Sequence, residues 1–247
     1  MEFSIEKVQK IYTWIPNKLY SIFITNNNFH KFTPGQFTRL GLSIENNNIF
    51  RAYSIVSSPK EKYLEFYYNV INNGYLTPFL AKLMPNDEIF IDKKSYGILS
   101  IDNIMPNRNL LLIASGTGLS PYISILRNNK IWSNFKKIII IHTVKYENEL
   151  GYKQEILSYV NKKLVIYKPI VTQEKNTFIM KKRLTVLFDT GEINKFLDEQ
   201  ITPENTSMMI CGNPSLVNDM RLILKNLNFQ TSRLNKIGHV IFEKYWQ

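Results

Sequence analysis

The chain has 247 residues, enough for two domains of ordinary size, and 44% of its residues are hydrophobic. Together with 13% aromatic residues, this composition excludes fibrous and intrinsically disordered proteins. Lys and Arg number 31 against 20 acidic residues, a net charge of +11, which favours an acidic partner over a plain solvated surface, with nucleic acid third.

Counts of individual residue types exclude further classes. A single cysteine, Cys211, allows neither an internal disulfide nor a thiolate-bound metal cluster. The dispersed histidines, His30, His142 and His239, are interpreted as ordinary surface or strand-end residues rather than metal ligands. The longest apolar runs fall far short of the roughly 18 residues of a membrane helix, and the N-terminus resembles neither a signal nor a transit peptide. We therefore expect no metal, no membrane span and no nucleic-acid partner, and a cytoplasmic location.

The first hundred residues predict a small antiparallel barrel. β-branched and aromatic runs alternate with turns rich in Asn, Gly and Pro. The predicted strands cover residues 19–24, 36–44, 49–56, 63–71, 88–91 and 97–101. One amphipathic helix is predicted over residues 77–84. The fold class predicted for this half is a six-stranded antiparallel barrel.

From about residue 109 the pattern changes to strands that are apolar on both faces, each followed by a helix. The predicted strands cover residues 110–114, 138–141, 164–171, 208–210 and 240–245. The helices between them are predicted after residue 119 and over residues 154–161, 193–197 and 215–227. Such alternation is typical of a doubly wound parallel sheet. We therefore predict two domains, 1–102 and 103–247.

A glycine-rich turn joins the first strand of the α/β half to its helix. Gly116 and Gly118 allow a sharp turn and a close approach of backbone to ligand, and the following helix start favours a phosphate. The third glycine of the usual dinucleotide fingerprint is missing, so a purely structural turn stays an open alternative.

A second motif, Arg51-Ala52-Tyr53-Ser54, lies on a predicted strand. Arg51 and Tyr53 share one face, where a guanidinium binds a pyrophosphate and a ring packs a flat heterocycle. An edge-strand arginine beside a core tyrosine is the structural alternative.

These motifs occur in order with several others along nearly the whole chain. They are PGQF at 34–37, RAYS at 51–54, GYLT at 74–77, GTGLSPY at 116–122, CGNP at 211–214 and EKYW at 243–246. In this order and spacing the sequence resembles the ferredoxin–NADP reductase family, in particular its bacterial ferredoxin/flavodoxin–NADP reductases. The resemblance implies a flavin-binding barrel followed by a nucleotide-binding domain, with FAD and NADP as cofactors.

The resemblance also implies roles for individual residues. Arg51 would contact the FAD pyrophosphate, Tyr53 would lie against the isoalloxazine, and Ser54 would hydrogen-bond near flavin N5. The segments that line the flavin would include Ala52, Tyr67, Tyr68, Asn69, Val70, Leu76 and Thr77. The nicotinamide side would include Gly116, Thr117, Gly118, Cys211, Glu243 and Tyr245, with Ser54, Cys211, Glu243 and Tyr245 catalytic. Whether Tyr245 or Trp246 stacks on the flavin, or one covers the adenine, stays open.

Preference for NADPH is predicted from two basic residues. Lys145 and Arg183 match positions where the bacterial relatives carry cations for the 2′-phosphate, whereas Gln173 stands where they have an arginine. No carboxylate for the ribose hydroxyls is evident at Lys145. We therefore expect a weaker NADPH preference than in relatives with all three bases.

The activity that the resemblance implies is hydride transfer between NADPH and FAD, with single electrons passing to or from ferredoxin or flavodoxin, in a monomeric enzyme. One alternative is a reductase that serves an oxygenase or reduces free flavin. Another is a flavin-binding electron-transfer subunit without activity of its own.

Overall fold

The computed structural model describes residues 2–245 and divides into two compact units. The barrel unit comprises Met1–Gly97 and Ser120–Asn128, and the sheet unit comprises Ile98–Leu119 and Asn129–Gln247. The predicted division after Asp102 stays a prediction.

The barrel unit is built on one six-stranded antiparallel sheet. Its strands are β1 Phe3–Ile15, β2 Leu19–Ile24, β3 Phe37–Ile44, β4 Asn47–Ser54, β5 Leu64–Asn69 and β6 Glu88–Asp92, in the order β4-β3-β6-β1-β2-β5. The two outer strands approach each other where Ile55 bridges Phe66 and the Val56 amide donates to the Glu65 carbonyl at 2.8 Å. That seam brings the end of β4 beside β5 and encloses an apolar core that includes Leu40 and Ile91.

Two short helices complete the barrel unit, α1 Thr77–Leu80 and α2 Ser120–Leu126. The Ser124 hydroxyl of α2 donates to the Ser57 carbonyl at 2.7 Å. Arg127, just after α2, pairs with the buried Glu65 of β5 at 2.6 Å. The segment after the glycine-rich turn is therefore anchored to the barrel by a buried hydrogen bond and an ion pair.

The predicted strand count of six is right, but two of the segments differ. β1 was not among the predicted strands, because its inward positions carry the polar Ser4 and Glu6 while the apolar Ile5 is exposed. The strand predicted over residues 97–101 is wrong, since Gly97 has a left-handed φ of 99° and a single 3-10 turn, Ile101–Asn103, follows. The helix predicted over residues 77–84 ends at Leu80, ahead of a proline at position 85 that disfavours helical geometry before it.

The sheet unit holds a five-stranded parallel sheet. Its strands are β7 Asn109–Ser115, β8 Lys137–Val144, β9 Ile166–Val171, β10 Thr206–Gly212 and β11 Val240–Lys244, in the order β11-β10-β7-β8-β9. Its helices are α3 Ile131–Asn134, α4 Lys153–Asn161, α5 Leu184–Asp189, α6 Ile193–Leu197 and α7 Pro214–Asn226. Because the chain winds from the central β7 first toward β9 and then toward β11, the order reverses between β7 and β10. Ligands of doubly wound sheets bind at the carboxyl edge of such a reversal point.

Candidate functional site

In the barrel unit, the predicted tetrad lies at the end of β4. Tyr53 packs against the barrel core, and its ring lies edge-on to that of Tyr68 on β5, with 6.1 Å between the centroids. Burial raises the pKa of both phenols well above its usual value, so both remain protonated at neutral pH. Ser54 is buried, whereas Arg51 is exposed and donates from Nη1 to the Phe50 carbonyl at 2.7 Å.

Tyr68 carries a buried polar atom that the protein itself leaves unsatisfied. The side chain is 2% exposed, and its hydroxyl has no hydrogen-bond partner within residues 2–245. A buried hydroxyl without a partner costs about 1–3 kcal/mol. A polar heterocyclic group bound beside the Tyr53 and Tyr68 rings would remove that cost, so these residues fit a flavin.

The remaining barrel residues of the predicted site follow Tyr68 along the chain or lie beside it. Tyr67 is buried and packs its ring against Trp14 at 5.9 Å, while Leu76 is buried in the barrel core. Thr77 begins α1, and its Oγ1 accepts from the Ile71 amide at 2.9 Å. This bond closes the loop between β5 and α1. Three other predicted residues lie nearby. Ala52 of β4 is exposed, whereas Asn69 at the end of β5 and Val70 directly after it are half-buried.

In the sheet unit, the glycine-rich turn follows β7 directly as a single 3-10 turn, Gly116–Leu119. Gly116 has a left-handed φ of 55°, and Thr117 is buried. A Cβ on Gly118 would collide with the backbone of Cys211 and come within 3.0 Å of the Gly212 Cα. Glycine is therefore required at position 118, because two backbone segments from β7 and β10 meet there without room for a side chain.

A buried histidine, which the sequence pattern does not distinguish from an ordinary strand-end residue, supports this turn. His142 of β8 is fully buried, its Nε2 lies 3.0 Å from the Gly116 carbonyl, and its Nδ1 lies 3.4 Å from the Tyr167 hydroxyl. Since a carbonyl only accepts, Nε2 carries the proton and Nδ1 accepts from Tyr167. Burial lowers the pKa of His142 to about 4, against an opposing effect of the Gly116 bond. The signal in the sequence is its position directly after the apolar run 138–141, because the strand continues through it to Val144.

The predicted catalytic residues of the sheet unit lie on the adjacent strands β10 and β11. Cys211 is fully buried, and its Sγ is 3.8 Å from Oε1 of Glu243. Burial, reinforced by the Glu243 carboxylate, raises the pKa of the thiol well above its usual value, so Cys211 is a protonated thiol and not a thiolate. The Tyr245 amide donates to the Gly212 carbonyl at 3.1 Å. Trp246 lies outside the described residues.

The two predicted cations lie at or beyond the carboxyl ends of β8 and β9. Lys145 is exposed, and its carbonyl accepts from the Gln173 amide at 2.9 Å. Arg183 is exposed just before α5. Two carboxylates share this region: Glu149 accepts from the Lys145 amide at 2.8 Å, and Glu174 lies 3.4 Å from the Glu147 amide. Both carboxylates therefore accept from backbone amides of this segment, and the prediction that none serves the ribose hydroxyls at Lys145 stays a prediction.

Comparison with known proteins agrees with this geometry. The profile of the oxidoreductase FAD-binding domain matches residues 18–96, and that of the oxidoreductase NAD-binding domain matches residues 112–222. The chain is 38% identical to a flavodoxin/ferredoxin–NADP reductase of Buchnera aphidicola subsp. Baizongia pistaciae, over 97% of each chain. The chain belongs to the flavodoxin/ferredoxin–NADP reductase family.

Other members of the flavodoxin/ferredoxin–NADP reductase family are similarly related. The Escherichia coli K12 reductase is 34% identical over 97% of each chain. A crystal structure of a ferredoxin–NADP reductase from Neisseria gonorrhoeae, with bound FAD and NADP, aligns over the whole of both chains with a TM-score of 0.92 and 29% identity. The predictions of family, fold class and oxidoreductase activity are confirmed. No helix within residues 2–245 is long and apolar enough to cross a bilayer.

Proposed function

We propose that this protein is an FAD-dependent NADPH reductase that exchanges electrons with ferredoxin or flavodoxin. The observation that carries the proposal is the close approach of the Gly118 and Cys211 backbones at the reversal point of the sheet. It is supported by the similarity of 97% of the chain to such a reductase. When bound, FAD supplies the conversion between a two-electron hydride and single electrons. The residues of the chain bind, orient and shield the reacting groups.

In the barrel unit, Arg51 provides a guanidinium for a diphosphate, and its exposed position leaves it available for that contact. Tyr53 offers an aromatic surface held in place by Tyr68, whose hydroxyl is a donor for a bound polar group. Ser54, buried at the end of β4, donates a hydrogen bond to the reacting heterocycle. The supporting residues are Ala52, Tyr67, Asn69, Val70, Leu76 and Thr77.

In the sheet unit, Gly116, Thr117 and Gly118 form the backbone surface that receives the nicotinamide nucleotide. Cys211 is a buried neutral thiol beside the Glu243 carboxylate, so it supports that carboxylate without offering a reactive thiolate. Tyr245, tied to Gly212 by its amide, and Trp246 are proposed to cover the flavin or its adenine.

A preference for NADPH over NADH is part of the proposal. Lys145 and Arg183 supply positive charge for the 2′-phosphate, whereas Glu149 and Glu174 place negative charge in the same region. The preference is therefore modest. An acidic electron carrier, a monomeric state and a cytoplasmic location complete the proposal, the first supported by the net charge of +11.

The experiment that tests the reaction is stopped-flow reduction of the bound flavin by NADPH. Ser54→Ala should slow reduction at least tenfold, about 1.4 kcal/mol of barrier, because a donor to the reacting ring is lost. Ser43→Ala, on the exposed face of β3, is the matched control and should react at the unmodified rate. An unchanged rate in Ser54→Ala would assign that hydroxyl a structural role, and a colourless protein would refute the function itself.

The dependence of the electron-transfer rate on salt concentration tests whether the carrier protein is acidic. Attraction between opposite charges is screened over about 8 Å at physiological ionic strength. The second-order rate with ferredoxin or flavodoxin should fall steeply with added salt, while the rate with a neutral dye should stay constant. Parallel salt curves would contradict an acidic carrier.

A further inference from the structure

A basic cleft lies in the sheet unit, at the edge opposite the glycine-rich turn. It has a volume of about 480 Å³ and is formed by α7 and by the segment between α7 and β11. We define it by the cations Arg221, Lys225, Arg233 and Lys236, and Phe229, Gln230 and Thr231 also line it. α7 starts at the carboxyl edge of the sheet and returns the chain to the amino edge, where Thr231 bridges Val240, so the segment after α7 lies at the end of the sheet away from Gly116 and Gly118.

One wall of the basic cleft is the exposed face of α7. Arg221 and Lys225 are four residues apart, so their side chains leave the helix on the same side, with Cβ atoms about 6 Å apart. The guanidinium carbon of Arg221 lies 4.3 Å from the centroid of the Phe242 ring. This cation–π contact holds one charge of the wall in a fixed position without neutralising it.

The other wall is a tight turn. Arg233 and Lys236 exchange both backbone hydrogen bonds, at 2.9 and 3.0 Å. Residues paired in this way have Cα atoms about 5.5 Å apart. The turn therefore presents a second pair of cations at nearly the same spacing as the pair on α7.

The charges of the basic cleft are not balanced by the protein. No carboxylate lines the cleft, and none of its four cations forms an ion pair with any residue between positions 2 and 245. Four positive charges around one concave surface repel one another and attract anions.

We propose that the basic cleft binds a small molecule carrying two or more phosphate groups. One phosphate brings about −1.5 to −2 charges and is satisfied by one pair of cations, so two pairs that line one cleft match two phosphates. The volume lies within the range of about 300–1,000 Å³ found for small-molecule sites. This binding is separate from the reductase reaction and does not depend on the proposed function.

Isothermal titration of the flavin-loaded full chain tests the proposal, with inorganic triphosphate as the probe. It is done in the Lys145→Ala/Arg183→Ala background to weaken phosphate binding at the nucleotide site, because NADP⁺ carries three phosphates and would itself compete for the cleft. Triphosphate should bind once, at least tenfold more tightly than inorganic phosphate. Arg233→Gln/Lys236→Gln and, separately, Arg221→Gln/Lys225→Gln should each weaken triphosphate at least tenfold, because each removes one wall. Lys136→Gln/Lys162→Gln changes net charge equally at exposed positions outside the cleft and should weaken it less than twofold.

Three results would overturn the proposal. Equal weakening in the Lys136/Lys162 control would mean that net charge alone attracts the probe. Unchanged triphosphate affinity in either cleft variant would show that the two pairs of cations do not form one binding site. Slower reduction of ferredoxin or flavodoxin in the cleft variants, with triphosphate binding intact, would make the cleft a protein-docking surface.

Discussion

The barrel unit and the sheet unit form their candidate sites by different means. In the barrel, the proposed ligand contacts come from side chains such as Arg51, Tyr53 and Ser54 on β4. In the sheet, the central feature is backbone, since Gly118 meets the Cys211 and Gly212 backbones and Gly116 is held through its carbonyl by His142. Where side chains bind the ligand, substitution of one residue removes one contact. Where the backbone binds it, a substitution that shifts the backbone displaces all contacts together. The most sensitive positions are then glycines, which have no side chain.

The sharpest test of this contrast, with the largest expected effect, is Gly118→Ala. The added methyl group would collide with the carbonyl group of Cys211 and push the glycine-rich turn away from β10. We expect destabilisation of about 1–3 kcal/mol and about 100-fold slower flavin reduction by NADPH, because small displacements of a bound reactant have large effects on rate. Urea unfolding and stopped-flow reduction measure the two quantities.

Gly191→Ala is the control for Gly118→Ala. Gly191 has a φ of 71°, but nothing lies within 4 Å of a Cβ there, so its substitution adds backbone strain without a collision. We expect a loss of about 1–2 kcal/mol in stability and a normal rate of reduction. If both variants reduce the flavin equally fast, the close approach at Gly118 has no part in the reaction.

The second prediction concerns pH and the histidine beneath the glycine-rich turn. The pKa of His142 is lowered to about 4 in the folded chain, against about 6.5 when unfolded. Between those values the unfolded chain binds the extra proton, so stability from this residue is complete above pH 6.5 and falls as the pH drops toward 4. The full loss is about 3 kcal/mol.

His142→Gln isolates that effect, because a glutamine amide still donates to the Gly116 carbonyl but does not titrate. Its urea midpoint should therefore fall less between pH 7 and pH 4 than that of the unmodified protein. Identical pH profiles would show that His142 is not buried in its neutral form.

On the barrel side, Arg51→Ala should weaken FAD retention by about 1.5–3 kcal/mol, roughly 10- to 100-fold in Kd, through loss of a charge-assisted contact with the diphosphate. Fluorescence titration of the apoprotein measures it, and Lys60→Ala, also exposed in this unit, should have no effect. Acid release followed by chromatography should yield FAD. Recovery of FMN would contradict the role assigned to Arg51.

The difference between the units also explains what the sequence allowed us to predict. Strands with apolar runs and glycine turns were recognised, and so was the order of motifs along both units. β1 escaped because two of its buried positions, Ser4 and Glu6, are polar: Glu6 is 1% exposed and is satisfied by the Asn28 amide at 3.2 Å and by the Thr25 hydroxyl. The role of His142 escaped for the same reason, since a buried polar residue is explained by its partners, which only the fold supplies.

The smallest expected effect lies at the exposed ends of β8 and β9, where the site depends on charge and not on backbone packing. Lys145→Ala/Arg183→Ala should lower the NADPH-to-NADH ratio of kcat/KM about tenfold, about 1.4 kcal/mol, while NADH turnover stays unchanged. Glu149→Gln should raise the ratio a few-fold, because it removes a negative charge beside Lys145 without removing an acceptor for its amide. Steady-state kinetics with both nucleotides measure these ratios. If the unmodified protein uses NADPH and NADH equally well, the assignment of the two cations is refuted. If the NADPH-to-NADH ratio falls after Glu149→Gln, this carboxylate orients Lys145 and does not oppose the 2′-phosphate.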